Sequence, residues 1–146
     1  MEKLRFTFEK GGSIDAILNN NAPISVSSLL QILPIETTVF HTRWCGREIS
    51  AAIKTLNPPP KEKCTTIVSK FDVAYWRDWD GVVDNSESPI KEAIAIYYGA
   101  EMLRYHNGFL STNIIGRITV EQEKQLDSIG LRIWQYGIEK VIIERL

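Results

Sequence analysis

Only two cysteines and two histidines occur among the 146 residues. Cys45 and Cys64 stand alone, without a Cys-x-x-Cys pair or a histidine cluster, which argues against a disulfide framework and against a zinc site. Reduced thiols, no metal and no cofactor are expected. An excess of charge is also missing: 17 Lys and Arg face 18 Asp and Glu, for a net charge of -1. No overall field exists to hold a polyanion, so nucleic acid is not an expected partner. Nor does any run match the roughly 20 apolar residues that a membrane helix needs. The charge-free stretch 16–35 is interrupted by Asn, Ser, Gln and two prolines. Met1-Glu2-Lys3-Leu4-Arg5 leads directly into alternating residues without the apolar core or cleavage site of a signal peptide. The expectation is a cytoplasmic chain with no membrane partner.

Apolar residues make up 44% and charged residues 24% of the chain, ordinary usage for a globular protein, and the length suits a single domain over residues 1–146. Leu4, Phe6 and Phe8 alternate with Arg5, Thr7 and Glu9, the period-two pattern of a half-buried strand. Gly11-Gly12 supplies a turn, and Ile14, Ala16 and Leu18 would be the inward set of a second strand. After Pro23, the spacing of Val26, Leu29, Leu30 and Leu33 predicts a short helix with Ser25 as N-cap, ended by Pro34.

Further strands are predicted over 36–44, 48–53, 64–68, 73–76, 93–98, 113–118 and 140–144. Asn57-Pro58-Pro59-Pro60 cannot continue a sheet and reads as an extended connection. A helix over 120–133 would turn Leu126, Ile129, Ile133 and Val120 inward. About nine strands with two helices cannot alternate as βαβ units, so a mainly β barrel or sandwich with two short capping α-helices is left. Closure would remove exposed edges.

The order strand, turn, strand, Ala22-Pro23 with a short helix, then a strand carrying Phe40-His41 and Arg43, resembles the opening half of a cyclophilin. Arg43-Trp44-x-Gly46-x-Glu48, Glu92 ahead of a strand ending Tyr97-Tyr98-Gly99, and Asn113 at the head of Asn113-Ile114-Ile115-Gly116-Arg117-Ile118 resemble blocks of an uncharacterised bacterial cyclophilin-like family. The resemblance implies a closed cyclophilin-like β-barrel and no particular reaction. True cyclophilins place phenylalanine, histidine and arginine consecutively, whereas Thr42 here separates His41 from Arg43. One inserted residue turns the arginine to the opposite strand face unless a bulge absorbs it.

Polar side chains within apolar strands point to a small-molecule site built from Arg43, Trp44, Glu48, Glu92, Tyr97 and Asn113, with Arg43, His41 and Glu48 as catalytic candidates. On a regular strand His41 and Arg43 share a face, and Glu48 approaches from the next strand. A guanidinium there could hold a carboxylate or amide, or form an ion pair with Glu48; both readings remain open. The alternative function is a prolyl isomerase or proline-peptide binder, in which Arg43 would stabilise the twisted amide. A Cys45–His41 dyad fails on geometry, since four strand residues span about 13 Å. Asp78, Asp80, Asp84 and Glu87 lack the spacing of a calcium loop. Tyr75, Trp76, Trp79, Tyr97, Tyr98 and Tyr105 exceed what one inward face can bury, so they would line a cleft or, as a third alternative, a homodimer or regulatory contact.

Overall fold

The structure, a computed structural model, describes residues 2–83 and 89–146; Asp84 and Glu87 of the acidic segment lie outside the described residues. The chain runs β1 (Lys3–Phe8), β2 (Ser13–Leu18), α1 (Pro23–Leu30), β3 (Ile35–His41), β4 (Glu48–Ile53), β5 (Ile67–Val68), β6 (Asp72–Arg77), β7 (Glu92–Tyr97), β8 (Glu101–Met102), β9 (Arg104–Tyr105), β10 (Gly108–Phe109), β11 (Asn113–Ile118), α2 (Glu123–Tyr136) and β12 (Glu139–Arg145). Eight strands close an antiparallel barrel in the order β1-β12-β3-β4-β7-β6-β11-β2. β5 pairs with β8 and β9 with β10 as small ribbons outside it.

Closure follows from alternation. Leu4, Phe6 and Phe8 of β1, Ile14 and Ala16 of β2, Ile94 and Ile96 of β7, and Val141 and Ile143 of β12 are all buried in one cluster. Arg5 faces outward and makes two 2.8 Å hydrogen bonds to its cross-strand partner Asp15. β11 bulges against β6 between Ile114 and Gly116. A Cβ on Gly116 would lie 2.5 Å from the Ile17 carbonyl oxygen, so only glycine allows β2 to approach there.

The helices plug opposite ends. Leu126, Ile129 and Ile133 of α2 join the barrel cluster, and Gln125 and Ile129 meet Gly12 where β2 begins. α1 instead meets Asn113 where β11 begins, through Ser25. β2 and β11 are antiparallel, so these two starts lie at opposite ends.

Several local expectations shift. Ser25 lies inside α1, and Pro23 takes the first helical turn, where its missing N–H costs nothing. The cap comes from Glu62, whose carboxylate accepts from Ile24 N (2.9 Å), Ser25 N (2.8 Å) and the Ser25 hydroxyl (2.6 Å). α1 ends at Leu30, which leaves Leu33 outside it. The strand expected to reach Trp44 stops at His41, and Arg43–Cys45 form a 3₁₀ turn. Val120 is 63% exposed, because a second 3₁₀ turn precedes α2. The strand expected over 64–68 contracts to β5, with an isolated bridge from Thr65 to Thr112.

Arg132 of α2 straddles the Glu139 carboxylate of β12 at 2.6 and 3.2 Å and also donates to the Gly11 carbonyl at 3.0 Å. The Glu139 side chain is fully buried. Removing only the cation strands a buried charge, so Arg132→Ala is expected to lower unfolding free energy by about 3–5 kcal/mol, and Arg132→Ala with Glu139→Leu to recover most of it. Urea unfolding of both variants decides this; equal losses in the two would refute a stranded-charge effect.

Candidate functional site

The outer face of β4, β7 and β6 carries unusually small side chains. Register places Glu48, Ser50 and Ala52 of β4 beside Tyr97, Ala95 and Ala93 of β7, which in turn meet Ala74 and Trp76 of β6. Their inward neighbours, Ile49, Ile94, Ile96, Val73 and Tyr75, fill the barrel. Large residues inside and small ones outside leave a hollow on the barrel wall. Val68, Leu103 and Leu110 cover one part of that face and bury Ala74, Ala95 and Tyr97 as a second apolar cluster.

The uncovered part is a cavity of about 200 Å3, with Glu48, Ser50, Ala93 and Tyr97 on strands and Trp44, Trp76, Tyr105, Val83, Ile90 and Leu110 around them. Its wall depends on the excursion between β3 and β4. Gly46 adopts φ +89°, and a Cβ there would lie 2.4 Å from the Glu101 carboxyl. That carboxyl holds Arg47 through Nε at 2.6 Å and backbone N at 3.2 Å. Trp44 then meets Tyr105 edge to face, with ring centroids 5.7 Å apart. Arg43 anchors the same turn from outside: its guanidinium donates to the Trp134 carbonyl of α2 and lies 5.5 Å from the Trp134 ring centroid.

Glu48 is 6% exposed. Ser50 Oγ donates to its Oε2 at 2.7 Å, and Thr42 Oγ1 lies 2.7 Å from Ser50 Oγ. With the carboxylate ionised, the single Ser50 proton points at Glu48, so Thr42 donates to Ser50. Burial pushes the Glu48 carboxyl up to about 7, against the smaller opposing effect of the Ser50 hydrogen bond and of the neighbouring Thr42, Tyr97 and Cys45 groups. Burial, with Glu48 beside it, pushes the Cys45 thiol up, and its Sγ donates to the Arg104 carbonyl at 3.1 Å. Cys45 is therefore a poor nucleophile. Tyr97 is raised well above the usual phenol range by burial, then by the Glu48 charge, and remains a proton donor. A carboxyl titrating near neutrality can both give and take a proton, so general acid–base chemistry lies within reach.

Residues 9–144 match a family described as a protein of unknown function, DUF3830. The chain belongs to that family. The fold of this DUF3830 protein is similar to McbB in its complex with tryptophan, with TM-score 0.70 and 14% identity, covering 97% of this chain and 44% of McbB. It spans less than half of McbB's length. It is also similar to the solution structure of the hypothetical protein AF2241 from Archaeoglobus fulgidus, with TM-score 0.64 and 25% identity, covering 99% of this chain and 95% of AF2241. No curated protein matches it.

Of the six residues expected to form one site, the DUF3830 fold brings Trp44, Glu48 and Tyr97 onto the cavity. Arg43 lies on Trp134, because the 3₁₀ turn carries it off the strand, and Glu48 has hydroxyl and thiol neighbours instead. His41 points to the α2 end and shares a 2.5 Å hydrogen bond with the Tyr98 hydroxyl. Burial, with some help from Arg43, lowers the His41 imidazole to about 4, so it is neutral at physiological pH. Glu92 accepts from Thr55 N (3.1 Å), Thr55 Oγ1 (2.5 Å) and the Tyr75 hydroxyl (2.6 Å). Asn113 ties Ser25, Pro60 and Glu62 together. Both hold loops at the α1 end. Thr42, Ser50 and Ala93 line the cavity without having been singled out from sequence; the available signal was the small residue at every second position of β4 and β7. Among the described residues, no group of three or more His, Cys, Asp or Glu could hold a metal ion. No described helix is long and apolar enough to cross a membrane.

Between its ordinary value of 4.5 and about pH 7, folded Glu48 keeps a proton that the unfolded chain has lost, so its contribution to stability falls as pH rises through this window. His41 acts in the opposite sense between 6.5 and about 4. The difference between Glu48→Gln and wild type isolates Glu48: it should move by about 3 kcal/mol in favour of the variant from pH 4.5 to 7.5. Chemical unfolding across that range measures it, and a flat difference would mean that Glu48 titrates normally.

Proposed function

We propose that this protein binds, and is equipped to act on, a small molecule in the cavity over β4, β7 and β6, with Glu48 as the polar partner. The observation that carries this reading is a buried carboxyl on the floor of an aromatic-walled hollow. A buried carboxyl without a counter-cation is costly unless it serves another group. The cavity is smaller than the roughly 300–1,000 Å3 typical of drug-sized ligands, which favours a compact metabolite. McbB, of similar fold, has been solved in complex with tryptophan, which supports a small ligand. The Arg43 guanidinium is held at Trp134, so an amide or amine suits the cavity better than a carboxylate.

The cyclophilin-like order of motifs supports proline-peptide binding as a second reading. Its catalytic form needs a guanidinium on the bound amide, and the placement of Arg43 on α2 counts against that form.

A thermal-shift screen of small amines, amides, carboxylates and proline peptides tests the proposal, since a ligand that binds only the folded chain raises its melting temperature. Binders should lose about tenfold or more in affinity in Glu48→Gln, the loss expected for a hydrogen bond to a charged group, and less in Arg43→Ala. Loss confined to Arg43→Ala would overturn the Glu48 assignment in favour of an Arg-centred cleft.

A further inference from the structure

The cavity lining is polarised in one chemical sense. Among the described residues, Glu48 is its sole acidic residue and no Lys, Arg or His lines it. No basic side chain among the described residues forms an ion pair with Glu48. Two other buried carboxylates are ion-paired, Glu139 with Arg132 and Asp72 with Arg117, while Glu92 is held by Thr55 and Tyr75. Around Glu48 stand Trp44, Trp76, Tyr97 and Tyr105, and the Trp44 and Tyr105 planes meet at 83°, so their faces point in nearly perpendicular directions. Aromatic faces attract cations within about 6 Å, and Trp attracts them best.

Resting on the reading that this cavity takes a small ligand, we propose that the ligand is an organic ammonium ion, a protonated amine on a compact apolar or aromatic body, with its N–H groups on Glu48 and its charge against the surrounding rings. A ligand carboxylate would meet a like charge in a low-dielectric wall with no cation among the described lining residues to offset it. A neutral amide could accept a hydrogen bond from protonated Glu48 but would gain little from the ring faces. An ammonium ion uses both. Ser50 makes the one close hydrogen bond to the carboxylate, at 2.7 Å, while Thr42, Tyr97 and Cys45 are weaker neighbours with which a ligand N–H would compete for its about four acceptor positions. Trp44 is 44% exposed and stands at the rim, where an entering cation would first meet an aromatic face.

Charge pairing has a consequence in protons. Glu48 must be ionised to hold an ammonium ion, so below about pH 7 binding expels its proton and affinity rises with pH through that region. An amide accepting from the carboxyl would show the reverse trend.

Isothermal titration calorimetry of the full chain tests this with matched amine, amide and carboxylate probes on phenyl, indole and cyclohexyl bodies. At least one amine should bind about tenfold or more tightly than its amide and carboxylate counterparts. Its affinity should rise from pH 5.5 to 7.5, with proton release read from the dependence of enthalpy on buffer. Glu48→Gln, checked for folding by near-UV circular dichroism, should lose the preference and the proton release together. Ala93→Leu, which fills the floor, should weaken every probe that binds there. An amide or carboxylate that binds best and is lost in Ala93→Leu would overturn the ammonium assignment while leaving the cavity reading intact. If no probe binds, both fail.

Discussion

Two-sided burial of β4, β7 and β6 is the constraint on which the rest of the molecule depends. A strand has a side-chain period of two, so its two faces can be filled independently. Here the inward positions of all three strands carry mostly branched or aromatic residues and seal the barrel, whereas the middle of the outer face carries alanine and serine, with Glu48, Tyr97 and Trp76 around it. Swapping the two sets by a one-residue register slip would put the glutamate in the lumen and isoleucines on the wall. Lumen packing therefore fixes the composition of the outer face, and with it the depth of the cavity.

The hollow becomes an enclosure only because the chain breaks regularity twice. After His41 the backbone turns through Arg43–Cys45 and leaves by a glycine at positive φ, which brings Trp44 to the rim and Arg43 to α2. After Tyr97 the short strands β8 to β10 bring Leu103 and Tyr105 to the other side. Glu101 joins the two excursions by holding Arg47. A glycine, an ion pair and an arginine on a helix carbonyl thus maintain a site that none of them lines.

Much of this was legible in the residues. Alternation in Leu4-Phe8 and Ile14-Leu18, and the apolar spacing of Leu126, Ile129 and Ile133, report burial directly, so the eight barrel strands and both helices could be read along with a closed mainly β fold. What was hidden depends on contacts distant in sequence. The cap of α1 comes from Glu62, which local pattern assigns to Ser25. The two-residue strands β8, β9 and β10 are too short to alternate. Arg43 could be placed on a strand face only by assuming that the strand continued, and one 3₁₀ turn reversed its direction. Glu92 and Asn113 looked functional because they are polar in apolar surroundings, a description that fits a loop anchor equally well.

Comparison of the two buried carboxyls on the β4–β7 ladder shows what separates an anchor from a chemical group. Glu92 and Glu48 sit at opposite ends of that ladder, paired with Ile53 and Tyr97, and are 5% and 6% exposed. Glu92 faces the barrel end and takes an amide and two hydroxyls from Thr55 and Tyr75, partners that fix a loop and leave its charge spread over three donors. Glu48 faces the cavity, with the Ser50 hydroxyl as its close donor and Thr42 behind it. Equal burial in different surroundings makes the first carboxyl a part of the scaffold. It places the second, which also lacks a counter-cation among the described residues, on the hollow that the small residues of the wall create, where a ligand can reach it.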